Sequence, residues 1–213
     1  MRPLLFIFIL IFFYSVNITA QDDSSISVIK SIRINGSGNL YYTFRYRDVK
    51  PDDVSLEVYD GLWEVQKEVV DNFTYDYAVL QGRKKAPAMT ALEDYYRYGS
   101  GVCENYSNFF ILLAREKGLT ENLYKVSGNR RASGGHAWLE YHTENNVYII
   151  DPTWSDDYFL RGQALQRFRE SPAYGKRAFF ITYEESRIIY RGSTPSSHSV
   201  YTTKTEIPLW DTQ

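Results

Sequence analysis

Cysteine is the rarest residue in this chain of 213, with one copy, Cys103. A single thiol excludes an intrachain disulfide framework and any zinc site built on paired cysteines. Histidine is nearly as scarce. Chemistry that needs an imidazole has only His136, His142 and His198 to draw on. Neither sign of charge is in excess: 24 Lys and Arg face 26 Asp and Glu, for a formal net charge of −2. That balance gives no basis for nucleic acid or an acidic membrane as partner. Internal repeats, low-complexity blocks, EF-hand loops and Cys/His pairs at metal-ligand spacing are also missing. The sequence therefore gives no reason to expect a solenoid, a bound metal or any other cofactor.

Long apolar runs are missing too, apart from one at the start. Met1-Arg2 leads into an apolar stretch over residues 4–16, followed by Asn17-Ile18-Thr19-Ala20-Gln21. A basic start, a short apolar core and a small residue before the cut are the features of a secretory signal peptide. The run is too short for an ordinary membrane span. We expect residues 1–20 to be a signal peptide and 21–213 a single domain, secreted or periplasmic, with no stable membrane anchor after cleavage. In an oxidising compartment an unpaired cysteine needs a reason: a reactive nucleophile, intermolecular pairing or deep burial.

The stretch around that cysteine reads Gly99-Ser100-Gly101-Val102-Cys103-Glu104-Asn105-Tyr106-Ser107. The two glycines suit a tight turn that switches abruptly into another element. Cys103, Tyr106, Phe110, Leu113 and Ala114 then fall on one face at the 3.6-residue period, and Gly118 is a natural stop. This places Cys103 in the first turn of a core-facing helix, where unpaired N–H groups and the helix dipole favour a thiolate. The plainer reading is a small buried hydrophobe.

Around it the pattern predicts strands over 28–34 and 40–46, joined by Asn35-Gly36-Ser37-Gly38. A helix starts at Pro51-Asp52-Asp53 and runs to about Asn72, with Leu56, Leu62, Val65 and Val69 on its apolar face. Thr90-Ala91-Leu92-Glu93 reads as a capping box that opens a short helix to Tyr98. Further strands are expected over 122–127, 136–141, 147–151, 178–184 and 187–190, with an edge strand from Val200. Residues 128–135 read as a flexible loop, and 158–168 as a mixed segment with a short helix. Helices in the middle and strands mostly after them point to an α+β fold with an antiparallel sheet.

A thiol nucleophile needs a base within hydrogen-bond reach. His198 sits in a Ser/Pro-rich loop and His142 near a hairpin tip, so both are expected to be exposed. His136 begins a strand just after Gly134-Gly135, which leaves the ring approachable. If 143–144 form a two-residue loop, His136 stands opposite Asp151; a four-residue loop or a 145–146 turn offsets the two by two or four positions. In each case the parity is the same, so both side chains share one face of the sheet. Asp151 can then hold the imidazole in one tautomer and support its charged form. Trp138 shares that face and could wall a cleft or pack in the core, and Trp154 follows the aspartate closely.

Gly101-Val102-Cys103-Glu104-Asn105-Tyr106-Ser107, Gly118-Leu119, Val126-Ser127-Gly128, Gly135-His136-Ala137-Trp138 and Ile150-Asp151-Pro152-Thr153-Trp154 together resemble the transglutaminase-like superfamily. Its exported bacterial transglutaminase/protease-like branch is the nearest match, over about residues 60–155. The resemblance implies a papain-like fold, with Cys103 as nucleophile, His136 as general base and acid, and Asp151 as orienting carboxylate. It implies a cysteine-dependent enzyme acting on peptide or glutamine-type amides through a thioester. Hydrolysis is the expected outcome, because nothing marks an amine-acceptor site and water is the default acceptor. The alternatives are a protein-glutamine transglutaminase and a binding module that has kept the fold without catalysis. A protein or peptide, cell-wall peptides included, is the expected substrate, and Trp138 and Trp154 are candidates for contacting it. For the oxyanion, the backbone N–H of Cys103 is one candidate donor; the sequence offers no second.

Overall fold

The computed structural model describes residues 29–35, 41–130, 134–156, 160, 162–185 and 201–206. The expected signal peptide, the strand expected over 187–190 and the loop with His198 lie outside the described residues. Two strands, β1 (Ile29–Asn35) and β2 (Tyr41–Arg47), pair as an antiparallel hairpin. The helix α1 (Leu56–Asn72) follows, capped by the Ser55 hydroxyl, which accepts the Val58 N–H at 3.2 Å. That cap sets the helix phase, and it corrects the expected apolar face. Leu56, in the first turn, is 63% exposed, while Tyr59, Leu62, Val65, Gln66, Val69 and Val70 are buried.

Next come the short strand β3 (Thr74–Tyr75), the single-turn helix α2 (Tyr77–Leu80) and α3 (Leu92–Tyr98). The expected capping box shifts by one residue. The carboxylate that returns to the helix start is that of Asp94, which accepts the N–H groups of Thr90 and Ala91 at 3.1 and 3.3 Å. Gly99 ends α3 in the left-handed region (φ 59), where a side chain would be strained. The chain then passes through β4 (Ser100–Gly101) into α4 (Cys103–Glu116).

The remaining strands, β5 (Leu123–Arg130), β6 (Gly134–His142), β7 (Val147–Ile150), β8 (Phe179–Thr182) and β9 (Tyr201–Glu206), form an antiparallel sheet in the order β8-β7-β6-β5-β9. Two further helices, α5 (Pro152–Ser155) and α6 (Gly162–Arg169), lie between β7 and β8 in sequence. The α+β class and the antiparallel sheet are as the sequence predicts. The flexible loop expected over 128–135 is largely ladder: Gly128, Asn129 and Arg130 pair with His136, Gly135 and Gly134. His136 is therefore the third residue of its strand, held on one flank by β5, and not its first.

Alternation along β6 divides the sheet into two faces. Leu139 and Tyr141 join the main core, where α1 contributes Leu62, Val65 and Val69 and α4 contributes Phe109, Phe110 and Leu113. Trp138 packs on the other face with Val126, Ile149, Ala178 and Ile181. Beside β7 the register shifts, so that Ile149 pairs with Ile181 and Ile150 with Phe179. Phe180, left over, takes φ 50 and turns into the core that Phe179 also occupies. A bulge of this kind bends a strand and re-aims the residues beside it. The next residue after β7 is Asp151, whose N–H bonds the Ala178 carbonyl at 2.8 Å.

Leu139 is fully buried between the sheet and α4, so Leu139→Ala should lower unfolding free energy by about 2–5 kcal/mol through lost burial and a cavity. Leu56→Ala, at the exposed position, should change it by less than about 0.5 kcal/mol. Urea denaturation midpoints of the two variants check both values.

Candidate active site

Cys103 owes its position to the turn before it. β3 and β4 pair in parallel, Thr74 with Ser100 and Tyr75 with Gly101, and the Asp76 N–H bonds the Gly101 carbonyl at 2.8 Å. From the helix side, the Asn105 side-chain oxygen folds back to accept the Val102 N–H at 3.0 Å. Gly101 has to lack a side chain, because a Cβ there would lie 2.6 Å from the Asn105 Cβ and side-chain oxygen. The extended Val102 is the N-cap, and Cys103 follows as the first helical residue. Its own N–H is one of the first-turn donors that no intrahelical acceptor can satisfy. The thiol itself is half-buried and unpaired with any other cysteine.

The β6–β7 hairpin closes with the four-residue 143–146 loop, and His142 pairs with Val147. The offset of two foreseen for that loop results: Asp151 stands diagonal to His136 on the same face. The His136 Nε2 and the Asp151 Oδ2 are 2.7 Å apart. The carboxylate is 2% exposed and the ring 9%. The other carboxylate oxygen accepts the Trp154 N–H at 3.2 Å, so Asp151 is also the N-cap of α5. The Ser155 hydroxyl donates to the Asp151 carbonyl at 3.0 Å. With Nε2 on the carboxylate, Nδ1 is the ring nitrogen left to hydrogen-bond the Cys103 thiol.

The charge state of the ring follows from a contest. Burial disfavours the imidazolium, but the Asp151 charge and hydrogen bond, reinforced by Cys103, outweigh it and push the pKa up to about 9. The ring thus carries its proton at neutral pH, as a partner for a thiolate must.

Trp138 stacks on the His136 ring with centroids 5.8 Å apart and is 4% exposed. Its indole N–H donates to the Tyr183 hydroxyl at 3.1 Å, and that hydroxyl donates to the Glu140 carboxylate. Of the two readings the sequence left open, burial favours packing: Trp138 supports the imidazole from below. Trp154 is half-buried, approaches the ring edge-on at 6.5 Å and has the Arg177 guanidinium over it at 5.1 Å. His142, expected to be exposed, is half-buried instead and pairs with Glu140 at 2.7 Å, because the carboxylate two residues back on the same face reaches it.

The structure also brings up residues that the sequence reading passed over. Asn105 had a signal, since a polar residue at the third helical position commonly reaches back to the N-cap. Tyr75 had none. Its β3 strand is two residues long, and its nearness to Cys103 arises from pairing across 26 residues of chain. Among the described residues no group of three or more His, Cys, Asp or Glu is arranged to hold a metal ion.

Comparison with known proteins gives the class. Residues 52–154 match the family model of the transglutaminase-like superfamily, a segment that contains Cys103, His136 and Asp151. The chain carries a domain of that superfamily, which includes cysteine proteases and transglutaminases. Among solved structures, a "Putative Cysteine Protease" from Cytophaga hutchinsonii matches at 20% identity and a TM-score of 0.33, over 43% of this chain and 30% of that one. The present chain thus matches under a third of that protein's length. No curated protein matches.

In an NMR titration His136 should lose its proton near pH 9, not near the ordinary 6.5. Because the folded pKa is raised, the stability tied to this proton is present in full below about 6.5 and is lost as pH rises through about 9. Asp151→Asn removes the charge while leaving an oxygen to cap α5, so it should lower the His136 pKa by more than about one unit.

Proposed function

We propose that this chain is a secreted or periplasmic cysteine-dependent acyl-transfer enzyme that opens peptide or glutamine-type amide bonds through a thioester. The observation that carries the proposal is one imidazole held between a buried carboxylate and the only thiol. In this reading the Cys103 thiolate attacks the amide carbonyl carbon, and the protonated His136 Nδ1 gives its proton to the leaving nitrogen. The C–N bond breaks, an amine departs and an acyl thioester remains on Sγ. The neutral ring then takes a proton from water as the water attacks the thioester. The acid product leaves and the thiolate–imidazolium pair is restored. Asp151 keeps Nε2 protonated, so that Nδ1 faces the thiol throughout.

Hydrolysis is the outcome we favour, with water as the default acceptor of an acyl group on a half-buried sulfur. A non-catalytic module would be better served by a sealed thiol or a distant histidine, and neither is the arrangement here. Substrates are proteins or peptides, cell-wall peptides included, and the edge-on approach of Trp154 to His136 supports Trp154 as a contact for the chain being cut. Export rests on the leader-like residues 1–20.

Cys103→Ala should abolish cleavage of a fluorogenic peptide library while leaving the unfolding free energy within about 1 kcal/mol of wild type. Mass spectrometry of the wild type mixed with substrate should show an acyl adduct on Cys103. Adding a primary amine should leave the acid as the main product; an amide product would turn the assignment towards transglutaminase.

A further inference from the structure

We infer that Asp156 is a positioning residue of this site: its buried carboxylate holds the Tyr106 hydroxyl, and through it the helix that carries Cys103, at a set distance from the imidazole. This rests on the acyl-transfer reading above for the work the thiol does, and adds what brings the thiol to the ring. Taking a carboxylate out of water is costly, and the chemistry proposed for Cys103, His136 and Asp151 gives Asp156 no part. Asp156 is nevertheless only 2% exposed.

The contacts form a bracket. α5 is a single turn, with Asp151 as its N-cap and Asp156 as its C-cap. Two backbone bonds close that turn, the Ser155 N–H to the Asp151 carbonyl and the Asp156 N–H to the Pro152 carbonyl, each at 3.1 Å. They fix the two aspartates relative to each other. One carboxylate holds the His136 ring, and the other accepts the Tyr106 hydroxyl. Tyr106 is fully buried and lies three residues beyond Cys103 in α4, so the two side chains are neighbours on one helix face, with Cβ atoms about 5–6 Å apart. The same hydroxyl lies 3.3 Å from the Phe73 carbonyl, at the end of α1, and the Phe73 ring meets the Tyr106 ring edge-on at 4.9 Å. A hydrogen bond to a charged oxygen is directional and about twice as strong as a neutral one. It therefore specifies a distance that apolar packing of α4 on α5 would leave loose. Placement acts steeply on rate: an error of about 1 Å at a reacting group can cost about a hundredfold.

The test reads the thiol directly, by iodoacetamide alkylation of the full chain against pH. Tyr106→Phe keeps the ring and removes the hydroxyl. Its alkylation rate near neutral pH should fall at least about tenfold, and the difference should close near about pH 10, where a thiol is ionised without help. Asp156→Asn keeps an accepting oxygen and should stay near the wild-type rate. Tyr106→Phe takes a donor from a buried carboxylate, so a second variant combines it with Asp156→Leu. Removing both partners leaves neither of them unpaired, and the double variant should be as slow as Tyr106→Phe. Leu139→Ala, which destabilises the same core away from the bracket, should alkylate at the wild-type rate. Wild-type alkylation near neutral pH in Tyr106→Phe or in the double variant overturns the inference. So does an equal loss in Leu139→Ala or Asp156→Asn, or a deficit as large near pH 10 as at neutrality. On a peptide substrate the loss should appear in kcat with KM little changed. Turnover judges the acyl-transfer reading separately: a wild type that cleaves no faster than Cys103→Ala fails that reading, while the alkylation series still decides the role of Asp156.

Discussion

A buried ion pair, His136 on Asp151, is the constraint around which the sheet is arranged. Withdrawing a carboxylate from water costs several kcal/mol, and only well-placed partners return it. Asp151 has them: the imidazole on one oxygen, the Trp154 N–H on the other, and the first turn of α5 to receive its charge. Its backbone is fixed as well, by Ala178 on one side and Ser155 on the other. The bulge at Phe180 sits beside this point, so the irregularity that brings two phenylalanines into one core lies next to the carboxylate. Stability and chemistry therefore draw on the same few residues at the end of β7.

The nucleophile is placed by a different device. A thiol at the first helical position is useful only if the chain enters the helix at a fixed angle. Here the parallel β3–β4 pair grips the entry from outside, and Asn105 grips it from within. Gly101 leaves room for the second grip, and Gly99 supplies the left-handed turn before it. Behind that turn, Phe73, Tyr95 and Phe109 pack ring against ring. The entry to α4 thus rests on an aromatic floor, from which the Cys103 thiol hydrogen-bonds the His136 ring.

What the sequence revealed and what it hid divide along physical lines. The face of α4 was legible because helical period and core burial agree, and Tyr106, Phe110, Leu113 and Ala114 are all buried. The shared face of His136 and Asp151 was legible because the two- and four-residue loops open to this hairpin all keep one parity, whereas the diagonal offset is fixed only by the 143–146 loop itself. The extension of β5 to Arg130 and of β6 back to Gly134 was hidden, since glycines and arginines carry no strand pattern and the ladder there is held by its neighbours. Leu56 misled because a cap at Ser55, not the apolar spacing, decides where the helix begins. Tyr75 was beyond reach: nothing local distinguishes it among nineteen tyrosines until tertiary pairing lays β3 beside β4.

The central claim is that the thiol and the imidazole work as one unit held by the carboxylate. The most direct measurement is the rate of Cys103 alkylation by iodoacetamide at neutral pH in the wild type and in His136→Ala. A thiolate sustained by a neighbouring imidazolium should react at least about tenfold faster than the same thiol without it. Equal rates in the two proteins, with both folded, would contradict the account, because Cys103 would then owe nothing to His136.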